Sequence, residues 1–248
     1  MMPELLAMPW LLLGVFILFA YAVEAMTGFG SIVISLSLGA LLLPIPDLLP
    51  VLVPLNIVMT GYLAFKYRRH IDRSTLLRVV LPLMALGTLA GYGLRPWLDE
   101  TLLKHLFSLL IVWFAIRALR QSFRAHRVPT RARWGSRVWT FMAGITHGLF
   151  AAGGPLLVYA LAGVNLDKAR FRATLVVVWF CLNSALTFAF ALDGSLVPAL
   201  AHLGLYLPLL ALGVFAGERL HHRIDEQRFK RAVYTVLLVA GTALAWPG

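Results

Sequence analysis

The ten residues Pro82-Leu-Met-Ala-Leu-Gly87-Thr-Leu-Ala-Gly91 recur 126 positions later as Pro208-Leu-Leu-Ala-Leu-Gly213-Val-Phe-Ala-Gly217, with seven of the ten identical. The same displacement carries Asp99-Glu100 onto Asp225-Glu226 and Lys104 onto Lys230. The 248 residues therefore divide into two copies of one plan, about 5–121 and 138–247, within a single transmembrane domain. In an apolar chain, such a duplication points to a transporter with its site between the repeats.

The chain is apolar enough for that reading. Hydrophobic residues make up 60% and charged residues 13%, where a soluble domain carries about 25% charge. Residues 5–23 and 48–65 hold no charge at all. The expected class is all-α, a polytopic helical membrane protein. The net charge of +11 would suggest nucleic acid in a soluble protein. Here the Lys and Arg residues sit in short connections between apolar runs, so they report topology and no nucleic-acid partner is expected. Cys181 is the only cysteine, which excludes an internal disulfide and a dithiol redox mechanism. The first apolar run has no basic leader and no Ala-x-Ala site, so it is expected to be retained.

Ten apolar segments can be drawn, at about 5–26, 29–43, 48–66, 75–94, 101–120, 138–152, 154–164, 172–192, 196–217 and 228–246. Since a full span takes about 20 residues, the second, sixth and seventh read as short. The expectation is about eight full spans plus two short or re-entrant helices. Basic connections follow at 66–73, 117–137, 168–172 and 219–231, whereas 44–47, 95–100 and 193–195 carry only Arg95. Placing the basic loops in the cytoplasm gives each copy five segments, an odd number. Matched loops then fall on opposite sides, so the two five-segment halves form an inverted-topology repeat. Such repeats accompany alternating-access transport.

Two constellations sit at matched places. One is Glu24-Ala-Met-Thr27-Gly28-Phe-Gly30-Ser31; the other is His147-Gly148 through Gly153-Gly154-Pro155. Glycine lets the chain leave one helix and start another, and Pro155 suits a helix start. A short helix beginning inside the membrane presents N–H groups and a positive dipole end to an anion. On this reading Thr27, Gly28, Gly30, Ser31, Gly153 and Gly154 are substrate-binding. The plainer alternative is close helix packing. Glu24 and His147, matched at an offset of 123, are the candidates for proton coupling, because ionisable groups within a membrane are costly. Asn56 and Asn183 each lie inside a long apolar segment with a threonine four residues on. Their amides need partners, either from substrate oxygens or from neighbouring helices. The duplicated Gly-x-x-x-Gly faces read as packing surfaces, within the chain or between chains. The Asp-Glu pairs read as acidic first turns of helices.

No Gly-Lys-Ser/Thr loop, His-Glu-x-x-His or Gly-x-Ser-x-Gly motif is present, so neither an ATP-driven pump nor an intramembrane protease is indicated. No metal spacing and no cofactor motif is visible. An enzymatic role would have to rest on His147, Glu24 and Asn183 alone.

Thr27-Gly28-Phe-Gly30-Ser31, Ala152-Gly153-Gly154-Pro155-Leu156, the half-length duplication and the size together resemble the TauE/SafE family of sulfite exporters and organosulfonate permeases. The resemblance covers essentially the whole chain. It implies a bacterial inner-membrane protein with about eight spans, transporting sulfite, sulfonates or related small anions, with the glycine clusters in the substrate site. Family copies often carry a run of glycines where this chain has Phe29-Gly30-Ser31, and His147 has no counterpart there. The combined expectation is a multi-pass secondary transporter for a small sulfur oxyanion bound near midplane. An anion channel, or a permease for carboxylate-type anions, is the alternative.

Overall fold

The structure is a computed structural model that describes residues 7–27, 30–123, 133–161, 168–220 and 225–246. Among the described residues there is helix and no strand. The helices are α1 (Met8–Thr27), α2 (Ser31–Gly39), α3 (Ile45–Lys66), α4 (Leu81–Leu94), α5 (Glu100–Phe123), α6 (Arg133–Phe150), α7 (Gly154–Ala160), α8 (Lys168–Leu192), α9 (Leu196–Leu220) and α10 (Glu226–Ala245). They answer one for one to the ten apolar segments. Ahead of α4 lie a short helical turn, Arg73–Thr75, and a π-helical stretch, Leu76–Val80. The widened winding precedes Pro82, which has no N–H to donate to the preceding turn.

Six helices are long and apolar enough to cross a bilayer: Met8–Met26, Ile45–Lys66, Leu76–Trp97, Glu100–Phe123, Arg170–Leu192 and Leu196–Leu220. The chain is thus a multi-pass membrane protein. Two helices are short, α2 with nine residues and α7 with seven. The sixth segment differs from expectation. It is a helix of 18 residues rather than a short piece, because Arg133, Trp134 and Arg137 make its first turns polar. In the same way α8 starts at Lys168, ahead of Arg170 and Arg172.

The helices gather into two compact units, residues 1–55, 99–126 and 195–248, and residues 56–98 and 127–194. Each unit draws on both copies of the repeat. In the first, α1 packs on α9 and α2, and α5 packs on α10. In the second, α6 packs on α4 and α7. So the fourth helix of one copy lies on the first helix of the other, in both units.

The repeated glycines make these pairings. An alanine Cβ at Gly87 would strike the Phe141 carbonyl and come 2.8 Å from the Gly144 Cα. One at Gly91 would strike the Ile145 carbonyl, and one at Gly148 the Thr88 carbonyl. In the first unit, a Cβ at Gly213 would come 2.5 Å from the Leu18 carbonyl oxygen, and one at Gly217 would strike that of Ala22. The Gly-x-x-x-Gly faces are therefore spent on backbone-to-backbone contact inside the chain. Contacts advance together along both members of each pair, so α4 runs parallel to α6 and α1 parallel to α9. The pair α5–α10 behaves oppositely. Ser108 Oγ donates to the Gly241 carbonyl at 2.7 Å and Arg231 donates to the Ser122 carbonyl at 2.7 Å. The two matched fifth helices are antiparallel.

Both acidic pairs begin helices, as the sequence suggests. The Asp99 carboxylate accepts from the Leu102 N–H at 2.7 Å. That of Asp225 accepts from Gln227 at 2.9 Å and Arg228 at 3.0 Å. The N–H groups of Arg228 and Gln227 and the Arg228 charge hold the exposed Asp225 below the usual carboxylate range. A lowered value means that its stabilisation is present above the ordinary carboxylate pKa and fades as pH falls through the lowered one. Asp225→Ala is therefore expected to lower the melting temperature at neutral pH and to converge with the parent in acid, as thermal melts across pH will read.

Candidate functional site

In the first unit, α1 ends at Thr27 and α2 starts at Ser31. Gly28 and the Thr27 side chain lie outside the described residues. Gly30 precedes α2 with φ of 108°, a left-handed conformation that favours glycine. This lets the chain reverse within a few residues and brings the new helix end back to the old helix. There the Ser31 N–H donates to Glu24 Oε2 at 3.0 Å, with Glu24 buried. In this structure the chain's own carboxylate takes the first N–H of α2, where the sequence suggested open donors. The dipole of the helix end favours this negative group. Ser35 Oγ donates to the Ser31 carbonyl at 2.8 Å and Ser37 Oγ to that of Val33 at 2.6 Å, so these two hydroxyls are satisfied within α2.

The second unit brings together five residues singled out in the sequence. Asn183 Nδ2 donates to Asn56 Oδ1 at 2.7 Å, and both side chains are buried. Asn56 lies in the first half of the sequence and Asn183 127 residues on in the second, so an amide from each half meets here. Thr60 Oγ1 donates to the Asn56 carbonyl at 2.7 Å, which leaves the Asn56 amide for Asn183. His147 is fully buried and stacks on Trp179, with centroids 5.5 Å apart and planes tilted by 26°. The Asn183 side chain lies within electrostatic reach of the imidazole, yet neither ring nitrogen has a hydrogen bond in good geometry among the described residues. Gly153 passes so close that a Cβ there would come 2.9 Å from the His147 Cβ, and a Cβ at Gly154 would lie 3.7 Å from Trp179. Ala151, between them, holds a left-handed φ of 52°, a strained state for a residue with a Cβ.

This unit keeps polar atoms in reserve. Asn183 Oδ1 and Thr187 Oγ1 are buried without a partner, as are Nδ1 and Nε2 of His147. Each such group forfeits about 1–3 kcal/mol. Asn56→Leu is therefore expected to destabilise by about 2 kcal/mol, since the whole Asn183 amide then loses its partner. Asn183→Leu takes the donor from Asn56 Oδ1 but removes the unpartnered oxygen with its owner, so it is expected to cost less, about 1 kcal/mol. Chemical unfolding of the two purified variants will separate these outcomes.

Trp179 was not singled out in the sequence. The available signal was its position four residues before Asn183, with Thr187 four residues after, so that all three share one face of α8. A second network, also unforeseen, joins the ends of α4 and α8. Tyr92 Oη donates to Asp193, and the Arg95 guanidinium lies 5.7 Å from the Tyr92 ring centre and 5.4 Å from that of Phe190.

Comparison with known proteins gives this arrangement its context. The family described as sulfite exporter TauE/SafE matches residues 13–244. A curated relative from Comamonas testosteroni, described as probable inner membrane transporter protein TsaS, is 29% identical over 169 residues, covering 66% of this chain and 69% of the relative. No solved structure matches. With the match running from the first helix to the last, the chain belongs to the sulfite exporter TauE/SafE family of multi-pass inner-membrane transport proteins.

Proposed function

We propose that the chain is a secondary transporter, neither ATP-driven nor enzymatic, that carries a small sulfur oxyanion, sulfite or an organosulfonate. The substrate binds where the two repeats meet, near the bilayer midplane, and access alternates as inverted halves rock about it. The observation that carries this reading is the Asn56–Asn183 hydrogen bond. Matched positions of two repeats touch side chain to side chain only close to the axis that relates them. The antiparallel α5–α10 pair and the exchange of first and fourth helices between copies support inversion. The family description supports the substrate class. Gly153 and Gly154 serve by letting the chain pass beside His147 and Trp179, and Gly30 and Ser31 by forming the matched turn in the first unit.

The test is flux of radiolabelled sulfite and of a labelled alkanesulfonate into proteoliposomes, beside acetate and sulfate. Saturable uptake of a sulfur oxyanion with rates in the carrier range is the expected result. Absence of saturable flux for every small anion defeats the proposal, and conductance far above carrier turnover in bilayer recordings would make the protein a channel.

A further inference from the structure

Resting on the reading of the chain as an anion carrier, we infer that the anion is recognised by the second unit alone. Its oxygens take hydrogen bonds from Asn183, His147 and Thr187, while the chain's own Glu24 closes the matched place in the first unit.

Three observations carry this. The first is a group of buried polar atoms without a hydrogen bond among the described residues, Asn183 Oδ1, Thr187 Oγ1 and both ring nitrogens of His147, gathered on one face of α8 and the imidazole beside it; the others belong to Thr88, Arg172, His202 and Arg231. Oxygen and nitrogen of an amide are interchangeable in assignment. In the anion-bound state both amides are turned over relative to this structure, so that Asn56 Nδ2 donates to Asn183 Oδ1 and the Asn183 NH₂ becomes the open group. The cluster then offers an amide NH₂, an imidazole N–H and a hydroxyl, all neutral donors. That combination suits a small oxyanion with several acceptor oxygens and no protons of its own to donate. Trp179 acts as the positioning residue. It covers one face of the His147 ring, so the ring's nitrogen edge is held in one direction.

The second observation is charge. The second unit holds 13 Lys and Arg residues against three Asp and no Glu, whereas the first holds nine against eight acidic residues. Nearly all of the net positive charge therefore belongs to the unit with the open donors, which favours arrival of anions there. Of its three Asp residues, Asp193 is tied to Tyr92 at one end of α8 and the Asp72 N–H to Thr174 at the other. Thr174 and Asp193 lie nine and ten residues from Asn183, or about 14–15 Å along the helix at 1.5 Å per residue. Asp167 lies still further away in sequence. Among the described residues, the acidic groups held to α8 are Asp72 and Asp193, at its ends and away from Asn183.

The third observation is the asymmetry of the matched pair. Glu24 already gives the Ser31 N–H a carboxylate oxygen. A substrate anion at that turn would find the first N–H of α2 already taken by a carboxyl oxygen. At the corresponding place His147 brings no carboxylate, and its ring nitrogens make no hydrogen bond in good geometry among the described residues, with the Asn183 side chain within reach.

Isothermal titration of the purified full-length protein with sulfite and with methanesulfonate tests this directly. The expected result is one equivalent per chain, with Asn183→Leu, Thr187→Val and His147→Phe each raising Kd at least tenfold. His147→Gln, which keeps a side-chain donor, should recover most of the affinity, and Ser184→Ala on the exposed side of α8 should bind as the parent does. Two equivalents per parent chain, or parental Kd in all three donor-deleting variants, overturns the inference. Sulfite flux with parental Kd in Asn183→Leu would keep the substrate class and remove the site. Binding of acetate, but of neither sulfur anion, with loss in Asn183→Leu would keep the site and remove the substrate class.

Discussion

Gly91→Ala should destabilise the α4–α6 pair by about 3 kcal/mol or more, near the upper end of what overpacking usually costs. The added methyl has no side chain to push aside. It meets the Ile145 carbonyl and backbone, and its neighbours Gly87 and Gly144 are equally tight. Relief requires the two helices to move apart, which breaks the whole contact at once. Gly217→Ala should act alike on α1–α9, where the methyl would meet the Ala22 carbonyl and the Ala25 Cβ, the latter at 2.8 Å. Gly93→Ala is the control. Nothing lies within 4 Å of that Cβ, so alanine should be neutral or stabilise the helix by up to about 1 kcal/mol. Thermal or chemical unfolding in detergent reads all three. Equal effects at Gly91 and Gly93 would contradict the packing account.

Glu24 gives the second large effect. Glu24→Leu leaves the Ser31 N–H buried without its acceptor and should destabilise by about 2 kcal/mol. Glu24→Gln keeps a carbonyl oxygen for that N–H and should retain most of the stability. The pair of variants separates holding α2 from moving a proton. If Glu24 couples transport to protons, Glu24→Gln folds normally and its flux ignores an imposed pH gradient that drives the parent. Parental flux with no gradient dependence in either protein would remove Glu24 from coupling and leave it as the anchor of α2.

Much of this fold is legible in the sequence because lipid and helix geometry allow few alternatives. The ten apolar runs become ten helices, and the acidic pairs Asp99-Glu100 and Asp225-Glu226 stand at helix starts. Pro-Leu-x-Ala-Leu-Gly-x-x-x-Gly reads correctly as a packing face. Its partner was hidden. Any apolar helix offers a face, and only the small residues of α6 at Gly144 and Gly148, or the Ala22 and Ala25 stretch of α1, admit so close an approach. The starts of α6 and α8 were obscured because arginines there break the hydropathy signal without breaking the helix.

The candidate residues were legible as types and only partly as a constellation. Polar residues stand out in apolar runs, so Asn56, Asn183, Glu24 and His147 are visible at once. The meeting of the two amides depends on the folding of two copies together, and no local pattern records it. Trp179 is one of seven tryptophans, and its composition gives no hint that it backs a buried imidazole. The equivalence of the two glycine breaks was the natural expectation from a repeat. The two breaks differ, with a carboxyl oxygen bonded to the helix start at one and an imidazole stacked on Trp179 beside the other.

The central claim is that a small sulfur oxyanion is carried through donors centred on Asn183. The most direct test is sulfite counterflow in proteoliposomes containing the parent or Asn183→Leu, with folding of both verified by thermal melts. The account predicts saturable uptake in the parent, stimulated by sulfite on the opposite side, and its loss in a normally folded Asn183→Leu. Counterflow of the same rate and half-saturation in both proteins would contradict it.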